Sequence, residues 1–348
     1  MANSNISTEL VQSYSYKDLD SEAIKASYSA LKSGQTHYVD VPGIPELRAA
    51  AADYVMLHGV QEVTSDNIII TSGVQESRFL ASQVVTAPGG KVALPKVSHP
   101  GNRLALSLRG CQVHELDCDE QSGWLVAADM LNSDGAIGAD TILMENPSRF
   151  SGAIYQSNLL SKLGSNGQTA VIDIGLSPWL NSADQAMQIN LEDPNRSVIA
   201  VGELWPGLGI EPQGLGFIAA PMGIAEQIVS MKQVLSICTS TAAQYAALEV
   251  STSWSDDFEK IRANLQSSIG TAGDASRQME IELFASSVNC FIVAKGIEES
   301  QINSLVQASG SALTGHYESG NIFGVDDAVQ FAVSLCAGAS NCWPLAQI

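Results

Sequence analysis

A few residues of this sequence have acid–base or anion-binding chemistry and sit where apolar, strand-like runs give way to turns. His99, Asp173 and Glu203 offer an imidazole and two carboxylates, the groups that move protons near neutral pH once burial or a neighbouring charge tunes them. Arg149 brings a planar guanidinium with five donors, a shape that matches a carboxylate. Together they would suit an isomerisation, cyclisation, elimination or hydrolysis of a small carboxylated molecule, with Tyr38 and Trp205 as further contacts to it. Ser72, Gly73, Val74 and Gln75 follow the apolar run Asn67-Ile68-Ile69-Ile70 and open a helical segment, so free N–H groups and the helix dipole would face an anion. Each residue also has a plainer role. Asp173 can cap the next turn, His99-Pro100-Gly101 can be an ordinary turn, Arg149 can brace an acid such as Glu145, and Glu203 can sit on a solvent-facing loop. The run His114-Glu115-Leu116-Asp117-Cys118-Asp119 holds metal-ligand atoms, but strand alternation sends them to opposite faces, so no metal site is expected.

The elements that must position these groups alternate. Strand-like runs at 67–71, 91–94, 111–116, 141–144, 169–174, 197–201 and 216–219 bracket helix-length segments. That is the pattern of a mostly parallel sheet with helices on both faces, whose ligands collect beyond the carboxyl ends of the strands. A polar N-terminal arm and the start of a smaller unit are expected over 1–50, a large α/β domain with a bridging helix from Ile224 to Val250 over 51–250, and a small α+β domain over 251–348. Strands of the last unit are expected at 288–293 and around Phe331.

Composition narrows the class. At 348 residues and 45% hydrophobic the chain can bury a large core. A net charge of −20, from 37 acids against 17 Lys and Arg, disfavours nucleic acid and anionic membranes as partners. No apolar run reaches the roughly 18 residues of a membrane span, and the first residues lack a signal peptide's pattern, so a cytoplasmic location is expected. The six cysteines lack Cys-x-x-Cys spacing and suit buried thiols. With so few cations, an arginine in a cleft stands out, and Arg103 and Arg149 are the candidates.

An ordered series of segments resembles the class I/II pyridoxal-phosphate aminotransferases. His37-Tyr38-Val39-Asp40-Val41-Pro42-Gly43 is similar to that family's tyrosine loop, which reaches the neighbouring subunit; Thr71-Ser72-Gly73-Val74-Gln75-Glu76 is similar to its phosphate turn. His99 stands at the position that stacks on the cofactor ring, Asn146-Pro147-Ser148-Arg149-Phe150-Ser151-Gly152 resembles the Asn-Pro-x-Asn-Pro-Thr-Gly motif, and Asp173 matches the aspartate that pairs with the pyridine nitrogen. The resemblance implies an aminotransferase-like large domain, a smaller C-terminal α+β domain and a homodimer.

The departures fall on the chemistry. Val201-Gly202-Glu203-Leu204-Trp205-Pro206 takes the place of the Ser-x-Ser-Lys segment, and no lysine lies between Lys162 and Lys232. A Schiff base needs a primary amine, which proline cannot supply. Glu203 replaces a phosphate-binding serine, Gly214 the phosphate arginine, Arg149 the asparagine on the ring oxygen, and Ala332 the substrate-carboxylate arginine. A like-charge contact about 4 Å away at an effective dielectric near 20 costs on the order of 4 kcal/mol, more than the helix terminus returns. Lys96 is the only lysine near a cleft motif. The expected protein is a repurposed enzyme that needs no cofactor and acts on a small anionic molecule. The alternatives are a transferase or lyase holding pyridoxal or pyridoxamine phosphate noncovalently, with His99 in place of the lysine, and a non-catalytic partner subunit whose cleft is closed.

Overall fold

The computed structural model describes residues 21–333, apart from 166, 183–184 and 209–214. The N-terminal arm up to residue 20, Gly214, the 334–335 end of the Phe331 run, Cys336 and Cys342 therefore lie outside the described residues.

Seven strands build the large sheet: β1 (Ile68–Thr71), β2 (Lys91–Pro95), β3 (Gln112–Leu116), β4 (Thr141–Glu145), β5 (Thr169–Asp173), β6 (Ser197–Glu203) and β7 (Gly216–Ala219). Their order is β1-β7-β6-β5-β4-β2-β3, and only β7 runs against its neighbours. The longer helices are α1 (Ser21–Lys32), α2 (Pro45–Leu57), α3 (Val74–Val85), α4 (Pro100–Arg109), α5 (Met222–Leu235), α6 (Thr241–Val250), α7 (Trp254–Gln278) and α8 (Glu299–Ala308). A second, antiparallel sheet is formed by β8 (Leu283–Phe284), β9 (Phe291–Lys295), β10 (Leu313–Ser319) and β11 (Ala328–Val333), in the order β8-β9-β11-β10.

The large sheet is buried on both faces, and the period-2 alternation of its strands divides its residues between two cores. Ile69, Leu143, Val171, Val201 and Ile218 pack with Leu80 of α3, Leu106 of α4 and Ile228 of α5. Their neighbours Ile70, Met144, Ile172, Ala200 and Phe217 join the larger core that includes Leu47 and Val55 of α2. The same alternation places Glu145, Asp173 and Glu203 on the α3 side, two residues beyond Leu143, Val171 and Val201. Register aligns Glu145 with Asp173 and Asp173 with Val201.

Two expectations change. Instead of one helix from Ile224 to Val250, the chain breaks between Leu235 and Thr241, where Ile237 takes a left-handed φ of 63°. Local side chains end the helix. Ser236 Oγ donates to Glu76 (2.8 Å), Thr239 Oγ1 donates to the Ile70 carbonyl (3.2 Å), and Ser240 caps α6 by accepting from Ala243 N (3.5 Å). The long helix is instead α7, 25 residues with Phe258, Ile261, Leu265, Ala272 and Ala275 buried at helical spacing, acids in its first turn and Arg277 in its last. The expected 288–293 strand also begins later, at Phe291, with Val288 making only an isolated bridge to Leu180.

Candidate functional site: a buried ion network beyond the sheet

The carboxyl ends of β4, β5 and β6 open toward α3, and the space between them is filled by side chains of the protein itself. Asp173 is the centre. Its Oδ2 accepts from Arg78 Nε (3.0 Å), Arg78 NH2 (2.6 Å) and Arg149 Nε (3.1 Å), and its Oδ1 accepts from Arg149 NH2 (2.7 Å) and Gly175 N (2.9 Å). Arg149 NH2 also donates to Glu203 Oε2 at 2.7 Å. Arg78 and Arg149 are each 1% exposed, Asp173 3% and Glu203 4%, so this four-residue network is closed to solvent.

Backbone geometry builds it. Arg78 occupies the buried face of α3, one turn after Val74 and three residues before Ala81, so its side chain passes through apolar packing to the strand ends. The turn after β4 is held by Glu145, whose Oε2 accepts from Arg149 N (3.1 Å) while Oε1 accepts from His99 N (2.6 Å) and Asn102 Nδ2 (2.9 Å). From the other side, Gln330 on β11 donates to the carbonyls of Arg149 (2.9 Å) and Phe150 (2.6 Å). Arg149 is thus fixed at both its backbone and its guanidinium.

Electrostatics separates the three acids. Burial alone would raise Asp173, but Arg149 and Arg78 outweigh it and hold the carboxyl far below its ordinary range. Burial raises Glu203, with Arg149 opposing and Asp173 adding to the rise. Glu145 is likewise raised by burial and by Asp173, against Arg78. Asp173 therefore carries its charge with two cations, whereas Glu203 shares one and leaves Oε1 without a hydrogen-bond partner among the described residues. Arg149 is pulled down by burial yet lies above its normal value, because Asp173 and Glu203 prevail.

His99 caps α4. Its Nδ1 accepts from Gly101 N (3.0 Å) and lies 3.2 Å from Arg78 NH1. Burial, with Arg78 and Arg149 nearby, lowers its pKa to about 2, so the ring is neutral and its proton belongs on Nε2.

The expected site residues thus part company. His99, Arg149, Asp173 and Glu203 come together. Tyr38 does not, being 77% exposed in the single chain. Trp205 is fully buried with a left-handed φ of 48°, its ring centroid 5.7 Å from that of Tyr54 and its indole N–H without a partner among the described residues. A bulky residue in that conformation stores strain of about 1–3 kcal/mol, held here by packing. Glu203 is no solvent-facing loop residue, because β6 extends to include it. Arg149 is already paired: its Nε and NH2 donors are engaged by Asp173 and Glu203, the bracing role, with acids other than Glu145 as its ionic partners. Arg103 pairs with Glu115 and donates to the Lys96 carbonyl (2.8 Å), outside the network. Lys96 is an exposed residue 4.0 Å from Asp117.

At the turn opening α3, Gly73 has a φ of 87°, and a Cβ on Gly216 of β7 would lie 2.7 Å from Gly73 C and 2.8 Å from Val74 N, so this close approach needs glycine. Glu76 Oε2 accepts from Ser72 N, and Lys232, fully buried, holds the same carboxylate at 3.0 Å. Gln75 turns away to the Gly101 carbonyl (3.1 Å) and Arg78 (3.2 Å). Arg78 had no sequence motif to mark it; its signal was an arginine at an apolar position of an amphipathic helix.

Pyridoxal phosphate does not fit these residues as they stand. Pro206 offers no amine, both oxygens of Asp173 already accept from arginine donors, and Glu203 adds a second buried carboxylate at the strand ends, which a dianionic phosphate would meet with repulsion. A Cβ at Gly175 would come within 1.9 Å of Glu203 Oε2 and 2.2 Å of Arg149 NH2, a measure of how completely the network fills the floor of the cleft.

Residues 11–172 match the family model of aminotransferase class I and II. The valine–pyruvate aminotransferase of Mycobacterium tuberculosis is 38% identical over 107 residues, 30% of this chain and 27% of that protein. The glutamate-pyruvate aminotransferase AlaA of Escherichia coli is 31% identical over 127 residues, 36% of this chain and 31% of that protein. Such matches span about a third or less of those relatives. Among solved structures, YbdL from Escherichia coli, described with a methionine aminotransferase function, superposes with a TM-score of 0.79 at 16% identity, covering 97% of this chain and 91% of that one. Aspartate aminotransferase from Thermus thermophilus with maleate gives 0.77 at 18% identity, covering 93% and 86%. Residues 11–172 are thus similar to the class I and II aminotransferases, and the overall fold is aminotransferase-like, with a mostly parallel large sheet and a smaller antiparallel one.

Proposed function

We propose that this protein is a non-catalytic subunit of aminotransferase fold, which pairs with a second copy of itself or with a related subunit. The observation that carries this reading is the Arg78–Asp173–Arg149–Glu203 network: each of its four side chains is ion-paired to another and shielded from water. A pairing surface is supported by α1, where Ile24, Tyr28 and Leu31 recur at helical spacing with exposures of 52%, 61% and 47%. The cofactor-independent enzyme acting on a carboxylated metabolite is less well supported, because its anion anchor, Arg149, is engaged.

A second reading has its own support. The named relatives are aminotransferases, and Asp173 and His99 meet through Arg78 of the helix that the α3 turn opens, an arrangement that a transferase or lyase with noncovalent pyridoxal or pyridoxamine phosphate could use. An absorbance titration of the purified protein with pyridoxal phosphate, followed by borohydride reduction and peptide mapping, separates the two. The non-catalytic reading expects no saturable spectral change and no stoichiometric adduct on a cleft lysine. One bound cofactor per chain would overturn it in favour of the second reading. Light scattering is expected to give the mass of two chains, and a monomer would remove pairing with a second copy and leave only a related subunit as partner.

A further inference from the structure

The charges that fill the cleft have an order. Along the floor they run from the carboxylate of Asp173 to the guanidinium of Arg149 to the carboxylate of Glu203, with two N–H bonds on the first link (2.7 and 3.1 Å) and one on the second (2.7 Å). A planar, delocalised cation seated edge-on against Asp173, with an anion beyond it, has the charge sequence of a protonated pyridine ring that bears a phosphate.

We propose that Arg149 and Glu203 are a built-in substitute for the cofactor: they occupy its place, satisfy Asp173 in its stead, and exclude it. This inference rests on the non-catalytic reading and adds the cause of the exclusion. Three features favour substitution over an incidental ion pair. Asp173 keeps a full set of donors, so the ancestral acid is neutralised from within. Gly175 leaves the floor flat enough for Arg149 and Glu203 to lie directly over it. Glu203 Oε1 lacks a hydrogen-bond partner among the described residues although the side chain is 95% buried, so this acid is poorly provided for as a structural element. Its charge balances Arg149, and it opposes any incoming phosphate.

Removing both residues together should therefore reopen the place without leaving either charge alone. The test compares the full-length protein with its Arg149→Ala/Glu203→Ser variant by calorimetric titration with pyridoxamine 5′-phosphate, which cannot form an imine with surface lysines. The double variant is expected to bind one molecule per chain at least about tenfold more tightly than the unaltered protein. A folded double variant with no gain in affinity, beside an unaltered protein that does not bind, would overturn the substitution and leave the non-catalytic reading standing. Tight one-to-one binding by the unaltered protein would overturn both. If near-ultraviolet dichroism shows that the double variant has lost its tertiary structure, Arg149→Met/Glu203→Gln carries the test: it takes the guanidinium off Asp173 and removes the second carboxylate while keeping more of the buried volume, and should still bind the phosphate compound about threefold more tightly. No gain there would likewise refute the proposal.

Discussion

The two ends of the same three strands solve the problem of buried polar groups differently. Where β4, β5 and β6 begin, the residues are hydroxyls: Thr141 bonds to Thr86 at 3.0 Å, and Thr169 to Ser197 at 3.1 Å. Where they end, the residues are carboxylates, Glu145, Asp173 and Glu203, balanced by arginines from α3 and from the turn after β4. A neutral pair contributes about 1 kcal/mol and its loss is mild, whereas a buried ion pair is close to neutral overall but severe to break. The strands' beginnings are therefore tolerant, and their carboxyl ends are a linked unit in which each residue depends on the others.

Breaking that unit at Arg149 should have the largest effect. Arg149→Ala leaves Asp173 with one arginine and Glu203 with none, and is expected to cost about 3–5 kcal/mol in chemical denaturation. A variant as stable as the parent would mean that Arg149 is a free ligand-binding residue after all. Gly175→Ala pushes a methyl group into Glu203 Oε2 and Arg149 NH2 and should cost about 1–3 kcal/mol; an unchanged midpoint would show that the network can shift without penalty.

A pH series sharpens the comparison. Because burial raises Glu203, the folded protein holds that proton more tightly than the unfolded chain does. Its stabilising contribution is complete below the unfolded value of about 4.5 and is lost as pH rises through the raised value. Glu203→Gln should therefore gain on the parent steadily as pH increases above about 4.5, with His99, present in both proteins, cancelling from the difference. A stability difference that is flat with pH would contradict the raised carboxyl. At the opposite ends of the strands, Thr169→Val should change stability by no more than about 1 kcal/mol at any pH. A loss as large as that of Arg149→Ala would erase the distinction between the two ends.

Much of this was legible in the sequence. Alternating apolar runs gave the strands of the large sheet to within a residue or two, because a strand buried on both faces is written as a continuous run of Ile, Val, Leu and Ala. The glycines and prolines of the turns carried the family resemblance. The absence of a lysine at Pro206 followed from residue type alone, since no fold can give a proline a primary amine. The break at Ile237 was hidden because the segment has helical composition, and what ends it is the bonding of Ser236 and Thr239 to partners more than 150 residues away.

For the cleft, the sequence determined which charges were present, and the tertiary structure decided what they were for. Arg149, Asp173 and Glu203 could be recognised as reactive groups near strand ends, but a guanidinium reads the same whether it waits for a ligand or is spent on a neighbour. That distinction depends on distance and burial: Arg78 arriving from another helix, Gly175 leaving room, and solvent excluded from all four side chains. These are relations between residues far apart in the chain, and in a low-dielectric interior they set both the protonation and the availability of each group.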